Sequence, residues 1–314
     1  MLVLGAEHFV GAKVCLALSA SDWAVPVPLT GGGFNPSAEL LGDVHAVFNG
    51  TMGRPGAVAG NARDLFGALD RAGMNARVVH LSSMTVYGSN VGEVAEDTPL
   101  RPDAGAYGAA QVAAESEANQ YPRSVILRPG CEYGPGCLQW SERIARLLCS
   151  HRLGDLGAAG DGVCNLLFVD DLVAAILTAL RAPGIDGQCF NLAMRAPPRW
   201  NDYLGLFARA LGAVPVSRVS GRRLRMETSL MAPPLKLLEF AARRLRGESR
   251  ALAPAITRSL VSLCRQDITL NSEKAERLLG VSWTPLREGL RQAAAACGRL
   301  QSTGNTSMRR NSIG

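Results

Sequence analysis

The chain has 314 residues, enough for two domains or one large one. Its 47% hydrophobic and 19% charged residues supply a core, which excludes disorder of the whole chain, and no apolar run reaches the roughly 18 residues of a membrane span. The net charge is +6, but only Lys13, Lys236 and Lys274 are lysines and aromatics are 5%, so the arginine excess reads as a solvated face rather than a nucleic-acid surface.

Leu2–Leu4 is a short apolar strand, Gly5 to Gly11 a turn, and Ala12–Ala20 has helical apolar spacing. The opening has no basic segment, and Glu7, His8 and Lys13 interrupt its apolar run, so it reads as strand plus helix rather than a secretion signal. Eight cysteines show neither a CxxC pair nor zinc-type spacing. They are expected to be small core residues of a cytoplasmic protein that needs no metal. Val25–Leu29 is a second strand, unusual in carrying Pro26 and Pro28, and Thr30–Gly33 breaks it. His45–Asn49 is a third strand, Gly60–Ala72 a helix closed by Gly73, and Arg77–Ser82 a fourth strand. Tyr107–Gln120 is a helix rich in alanine, and Ser124–Arg128 another strand. Apolar strands alternating with helices predict an α/β fold with a doubly wound parallel sheet.

After Pro129 the rhythm changes. Glu142–Cys149 and Asp171–Arg181 read as helices flanking a Gly-rich piece, followed by a strand at Gln188–Leu192 and a helix at Trp200–Leu211. Pro233–Leu245 is amphipathic: Leu235, Leu238, Ala242 and Leu245 form an apolar stripe with Lys236, Arg243, Arg244 and Arg246 around it. It reads as packing of a second domain, or as a cap over a lipophilic substrate or a transient membrane-surface contact. Ser272–Leu279 and Leu286–Cys297 are helices, and 298–314 has the composition of a disordered tail. The expected organisation is a dinucleotide-binding domain over 1–165, a substrate part over 166–297 interleaved with the last sheet elements, and the tail.

Five motifs carry chemistry. Gly5-Ala-Glu-His8-Phe-Val-Gly11, between a first strand and a helix, suits a pyrophosphate approaching backbone N–H groups. The usual acid about 20 residues on is missing: the second strand ends Leu29-Thr30-Gly31, with neither a carboxylate nor an arginine. His80-Leu-Ser82-Ser83-Met-Thr85-Val-Tyr87-Gly88 puts hydroxyls at the carboxyl end of a strand. Tyr107 and Gln111, four apart on one helix, share a face. Arg128-Pro129-Gly130-Cys-Glu-Tyr133-Gly-Pro-Gly136 runs from a strand into a loop. Phe168-Val-Asp170-Asp171-Leu172 opens a helix, with either aspartate suited to its N-cap.

Together with Asn271-Ser-Glu-Lys-Ala-Glu-Arg-Leu-Leu-Gly-Val-Ser-Trp-Thr-Pro285, these motifs resemble, in order and over residues 1 to about 297, the extended short-chain dehydrogenase/reductases, the NAD-dependent epimerase/dehydratase family. The resemblance implies a Rossmann domain with a smaller C-terminal substrate domain, bound NAD or NADP, and hydride transfer at a carbonyl or alcohol. It implies Tyr107 as the catalytic tyrosine, Ser83 or Thr85 as the hydroxyl on the substrate oxygen, and Gln111 beside them. Cofactor contacts are implied at Gly5, His8, Phe9, Val10, Gly11, Thr30, Gly50, Pro129 and Gly130. A homodimer is expected, in part through the Tyr107–Gln120 helix.

Two positions depart from the family pattern. His8 replaces the middle glycine, and Gln111 stands where the family has a lysine. A cation beside a tyrosine favours tyrosinate, and a neutral amide does so much less. Tyr107 is then expected to stay protonated at neutral pH, as a proton donor for carbonyl reduction rather than a base for alcohol oxidation. The expected activity is NAD(P)H-dependent reduction of a ketone on a fairly apolar metabolite. The alternatives are a sugar-nucleotide epimerase or dehydratase, and a catalytically weak nucleotide-binding protein.

Overall fold

A computed structural model describes residues 1–31, 44–231 and 254–310. The helix predicted at Pro233–Leu245, with its apolar stripe, lies outside the described residues. The chain divides into two compact units. The first comprises Met1–Glu132, Leu167–Arg195 and Thr269–Trp283; the second comprises Tyr133–Leu166, Ala196–Ile268 and Thr284–Gly314. The chain leaves the first unit after Glu132 and returns to it at Leu167–Arg195, a segment that carries one further strand of the main sheet, Gln188–Leu192.

The first unit is built in chain order from β1 (Leu2–Leu4), α1 (Phe9–Ser19), β2 (Val27–Leu29), β3 (Ala46–Asn49), α2 (Pro55–Arg71), β4 (Arg77–Leu81), α3 (Gly105–Gln120), β5 (Ser124–Pro129), α4 (Val169–Ala179), β6 (Gln188–Leu192) and α5 (Glu273–Leu279). The six strands form one parallel sheet in the order β2-β1-β3-β4-β5-β6. Successive side chains alternate between its faces. Val3, Val79, Leu81, Val125 and Leu127 pack with Val10, Val14 and Leu18 of α1 and Leu172 and Ile176 of α4. Leu2, Leu4, Val78 and Ile126 pack on the other face with Leu65, Phe66 and Leu69 of α2 and Ala110, Ala114 and Ala118 of α3. Both faces are covered, which is why the strands read as unbroken apolar runs. The chain reverses its direction of travel across the sheet between β1 and β3, which opens a crevice at the carboxyl ends of those strands.

Several boundaries differ from the sequence reading. β2 is shorter than Val25–Leu29 and, among the described residues, lies at the sheet edge beside β1, where Val27 and Leu29 make the hydrogen bonds and the missing N–H of Pro28, opposite Val3, interrupts none of them. The α2 helix begins a turn early because Pro55 sits in its first turn, where a missing N–H costs nothing. Asp170 and Asp171 do not cap α4: Phe168 is the N-cap, and both aspartates lie in the first turn. Carboxylates there still favour the positive end of the helix.

In the second unit, Trp200, Tyr203 and Phe207 line the buried face of the helix Trp200–Ala210, and the Tyr203 hydroxyl donates to the Trp140 carbonyl at 2.5 Å. The backbone of the last helix runs Leu286–Arg310, so 298–310 continue a helix instead of forming the expected tail. Adding one residue to an existing helix is far cheaper than nucleating one. Among the described residues no helix is long and apolar enough to cross a membrane.

Candidate active site

Three glycines build one end of the site. Gly5 leaves β1 with φ +73°, a conformation L side chains rarely adopt. A Cβ on Gly5 would lie 2.5 Å from the Gly50 carbonyl oxygen, and one on Gly11 would lie 2.1 Å from the Gly5 carbonyl oxygen. Gly50 is drawn in by its own N–H, which donates to the Leu4 carbonyl at 3.1 Å. The turn, the start of α1 and the end of β3 are thus in backbone contact. Among the described residues, no acceptor engages the first-turn N–H groups of Phe9, Val10 and Gly11, since the first helical bond runs from Ala12 to the His8 carbonyl at 2.9 Å.

His8 does not disrupt this turn. It takes an extended conformation (φ −85°, ψ 158°) as the N-cap residue of α1, without a side-chain cap. Its Nε2 lies 3.8 Å from the Glu7 carboxylate, whose Oε1 accepts the Gly31 N–H at 3.0 Å. Thr30 is therefore held beside the turn, where the Ala6 N–H also donates to the Leu29 carbonyl at 3.2 Å. Replacing Gly11 by alanine is expected to cost about 1–3 kcal/mol of stability, because backbone rather than a flexible side chain must give way. Urea unfolding measures this, and an unchanged midpoint would contradict the packing described.

The other end of the site lies on β4, α3 and β5. Ser83 caps a short 3-10 turn, Met84–Tyr87, accepting the Thr85 N–H at 3.3 Å. The α3 helix abuts that turn, since a Cβ on Gly108 would meet the Thr85 carbonyl oxygen at 2.9 Å. Gly108 follows Tyr107, so the hydroxyl-bearing turn and the tyrosine are brought together. Gln111 Nε2 donates to the Tyr107 hydroxyl oxygen at 2.8 Å, as their shared helix face requires. Burial pushes the Tyr107 phenol above its ordinary pKa; the Gln111 hydrogen bond opposes this, and the Glu132 charge adds to it. Tyr107 is a neutral phenol at pH 7. Pro129 ends β5, and Gly130 donates its N–H to the Leu192 carbonyl at 2.9 Å.

Among the described residues, two buried polar atoms here have no partner: Gln111 Oε1 and Thr85 Oγ1. Buried polar atoms are almost always satisfied. An amide oxygen and a hydroxyl suit the hydroxyls and carboxamide of a nicotinamide riboside, and the glycine turn with its free N–H groups suits a pyrophosphate. The residues present fit such a dinucleotide.

Sequence reasoning missed what supports α3 from below. Tyr107, Gln111 and Glu115 are spaced four apart, and Glu115 is fully buried against Arg128 of β5. Arg128 donates from Nε and Nη2 to the Glu115 carboxylate at 2.7–3.2 Å, and from Nη1 to the Tyr87 hydroxyl at 2.8 Å. Ser82 donates to Glu115 Oε1 at 2.5 Å, and Tyr87 donates to Asn191 at 2.6 Å. The signal was present: a glutamate one further turn along the Tyr107 face, and an arginine beside Pro129. Glu132, on the strand Cys131–Tyr133, was also passed over; burial pushes its carboxyl up to about 7, against the pull of a backbone N–H.

Residues 56–193 match the model of the NAD dependent epimerase/dehydratase family. That span holds the Ser83, Tyr107, Pro129 and Asp170 motifs but not the glycine turn. Among solved structures, MoeE5 in complex with UDP-glucose and NAD is 20% identical, with a TM-score of 0.70 over 96% of this chain and 99% of its own. UDP-glucuronic acid 4-epimerase from Bacillus cereus in complex with NAD is 18% identical, with a TM-score of 0.69 over 95% and 98%. RMD from Pseudomonas aeruginosa complexed with NADPH is 18% identical, with a TM-score of 0.66 over 94% and 98%. No curated protein sequence matches the chain. The fold these structures share is the Rossmann-type α/β fold described above.

Proposed function

We propose, from a chain whose residues 56–193 match the model of the NAD dependent epimerase/dehydratase family, that the protein is a nicotinamide-dinucleotide-dependent oxidoreductase acting on the sugar of a nucleotide sugar. The likeness to structures holding UDP-glucose and UDP-glucuronic acid supports this substrate class over the apolar ketone that the sequence suggested. The stripe that motivated the apolar ketone lies in residues outside the described structure. Within this class, reduction of a keto group is the step the site performs best. The observation that carries the reading is the hydrogen bond from Gln111 Nε2 to a buried, neutral Tyr107, with the Gln111 amide oxygen left for a ligand.

A bound nicotinamide dinucleotide exchanges a hydride with a substrate carbon. Gly5, Gly11 and the N–H groups of Phe9 and Val10 would hold its pyrophosphate, and Gln111 Oε1 would accept a ribose hydroxyl. Tyr107 gives its phenolic proton to the substrate oxygen as the carbon is reduced, and recovers it from solvent. The Ser83 oxygen already accepts from Thr85, which leaves its own O–H to donate to that substrate oxygen. Gln111 fixes the phenol through the hydrogen bond but brings no positive charge. The reverse step needs tyrosinate, which this site disfavours.

The test is to mix the protein with NADH or NADPH and a panel of UDP-, dTDP- and GDP-linked keto sugars beside hydrophobic ketones. Consumption of the reduced dinucleotide with a keto-sugar nucleotide is expected. Consumption only with the hydrophobic ketones, or with none, would overturn the proposal.

Gln111→Lys probes the same chemistry. A cation at hydrogen-bonding distance lowers a neighbouring acid's pKa by about 1–3 units. Each unit raises the tyrosinate fraction at neutral pH roughly tenfold while that fraction is small. Oxidation of the product alcohol at pH 7 is expected to rise about tenfold or more, with its pH profile moved to lower pH. An unchanged profile would show that charge at position 111 does not control Tyr107.

A further inference from the structure

Glu7 lies between the glycines of the turn, where a long charged side chain has no part in the turn itself. Its carboxylate reaches the end of β2, 24 residues away, and Oε1 accepts the Gly31 N–H at 3.0 Å. The strand reaches that point as Leu29-Thr30-Gly31, with no acid of its own. In an open parallel sheet this is where the adenosine ribose of a dinucleotide is recognised, normally by a carboxylate at the strand end. We infer that Glu7 supplies that carboxylate from the neighbouring turn and selects a dinucleotide with a free 2′-hydroxyl over one with a 2′-phosphate.

This rests on the dinucleotide reading and deepens it. An ionised carboxylate only accepts hydrogen bonds, and its two oxygens offer about four lone-pair positions. Gly31 takes one position on Oε1, and the side chain stays 37% exposed, so positions remain for ribose hydroxyls. Partial burial works against ionisation, but the backbone N–H groups of Glu7 and Gly31, with His8 beside them, hold the carboxyl below its usual range. A 2′-phosphate would bring about 1.5–2 negative charges next to this group. The nearest lysine along the turn offers no compensation, since Lys13 Nζ is engaged by Asp170 at 3.1 Å.

Titration of the wild-type protein with NADH and NADPH, followed by tryptophan fluorescence, reads the preference directly. NADH is expected to bind about tenfold tighter or more, as befits a charged hydrogen-bond acceptor. Glu7→Gln keeps an acceptor for Gly31 and removes the charge, so the ratio should shrink; Glu7→Arg should reverse it. Circular dichroism confirms that both variants fold. Equal binding of the two dinucleotides, tighter NADPH, or a ratio unchanged in Glu7→Gln would overturn the role of Glu7 alone. Failure of the wild type to bind either would overturn the dinucleotide reading and this inference with it.

Discussion

Replacing Tyr107 by phenylalanine is expected to lower turnover by about 10²–10⁴-fold while leaving dinucleotide affinity within a few-fold of wild type. The ring keeps its place on α3, and only the hydroxyl is lost. That hydroxyl is the proton source assigned to the site, held at 2.8 Å by Gln111. Its removal also strips the Gln111 amide of its acceptor in a buried position, a loss of about 1–3 kcal/mol in stability. Kinetics and folding must therefore be measured together. If the catalytic assignment is right, kcat falls in a variant that is still folded at the assay temperature and still binds the dinucleotide. A variant that loses binding and turnover in proportion would make Tyr107 structural.

Much of this arrangement was legible before the fold was known, for reasons tied to particular residues. Tyr107 and Gln111 could be paired because the helix period alone puts residues four apart on one face. The parallel sheet was legible because its strands, buried on both sides, leave unbroken apolar runs. The reach of Glu7 to Gly31 was not legible, since it depends on two neighbouring strands delivering a turn and a strand end to the same place. The helix through 298–310 ran against composition, because propagation from an established helix outweighs weak local preference. Gly5, Gly11 and Gly50 were each singled out, but that they pack on one another follows only from the β1–β3 pairing.

Breaking the Arg128–Glu115 pair is expected to be strongly destabilising. Arg128 and Glu115 are 3% and 0% exposed, so neither can turn to water when the other is lost. Among the described residues, Arg128→Met leaves Glu115 with the Ser82 hydroxyl as its remaining donor, and it deprives the Tyr87 oxygen of the Arg128 N–H. An uncompensated buried charge of this kind costs about 3–5 kcal/mol. Replacing both partners, as Arg128→Met with Glu115→Leu, removes both charges, and such double exchanges are often neutral or stabilising. The double variant should therefore recover most of the loss in urea unfolding. Its activity should not recover in step, because Glu115 anchors the turn of α3 below Gln111, and Arg128 anchors the strand that ends at Pro129. Recovery of stability without turnover would mark the pair as positioning residues for Tyr107 and the Pro129-Gly130 loop. Recovery of both would reduce the network to packing.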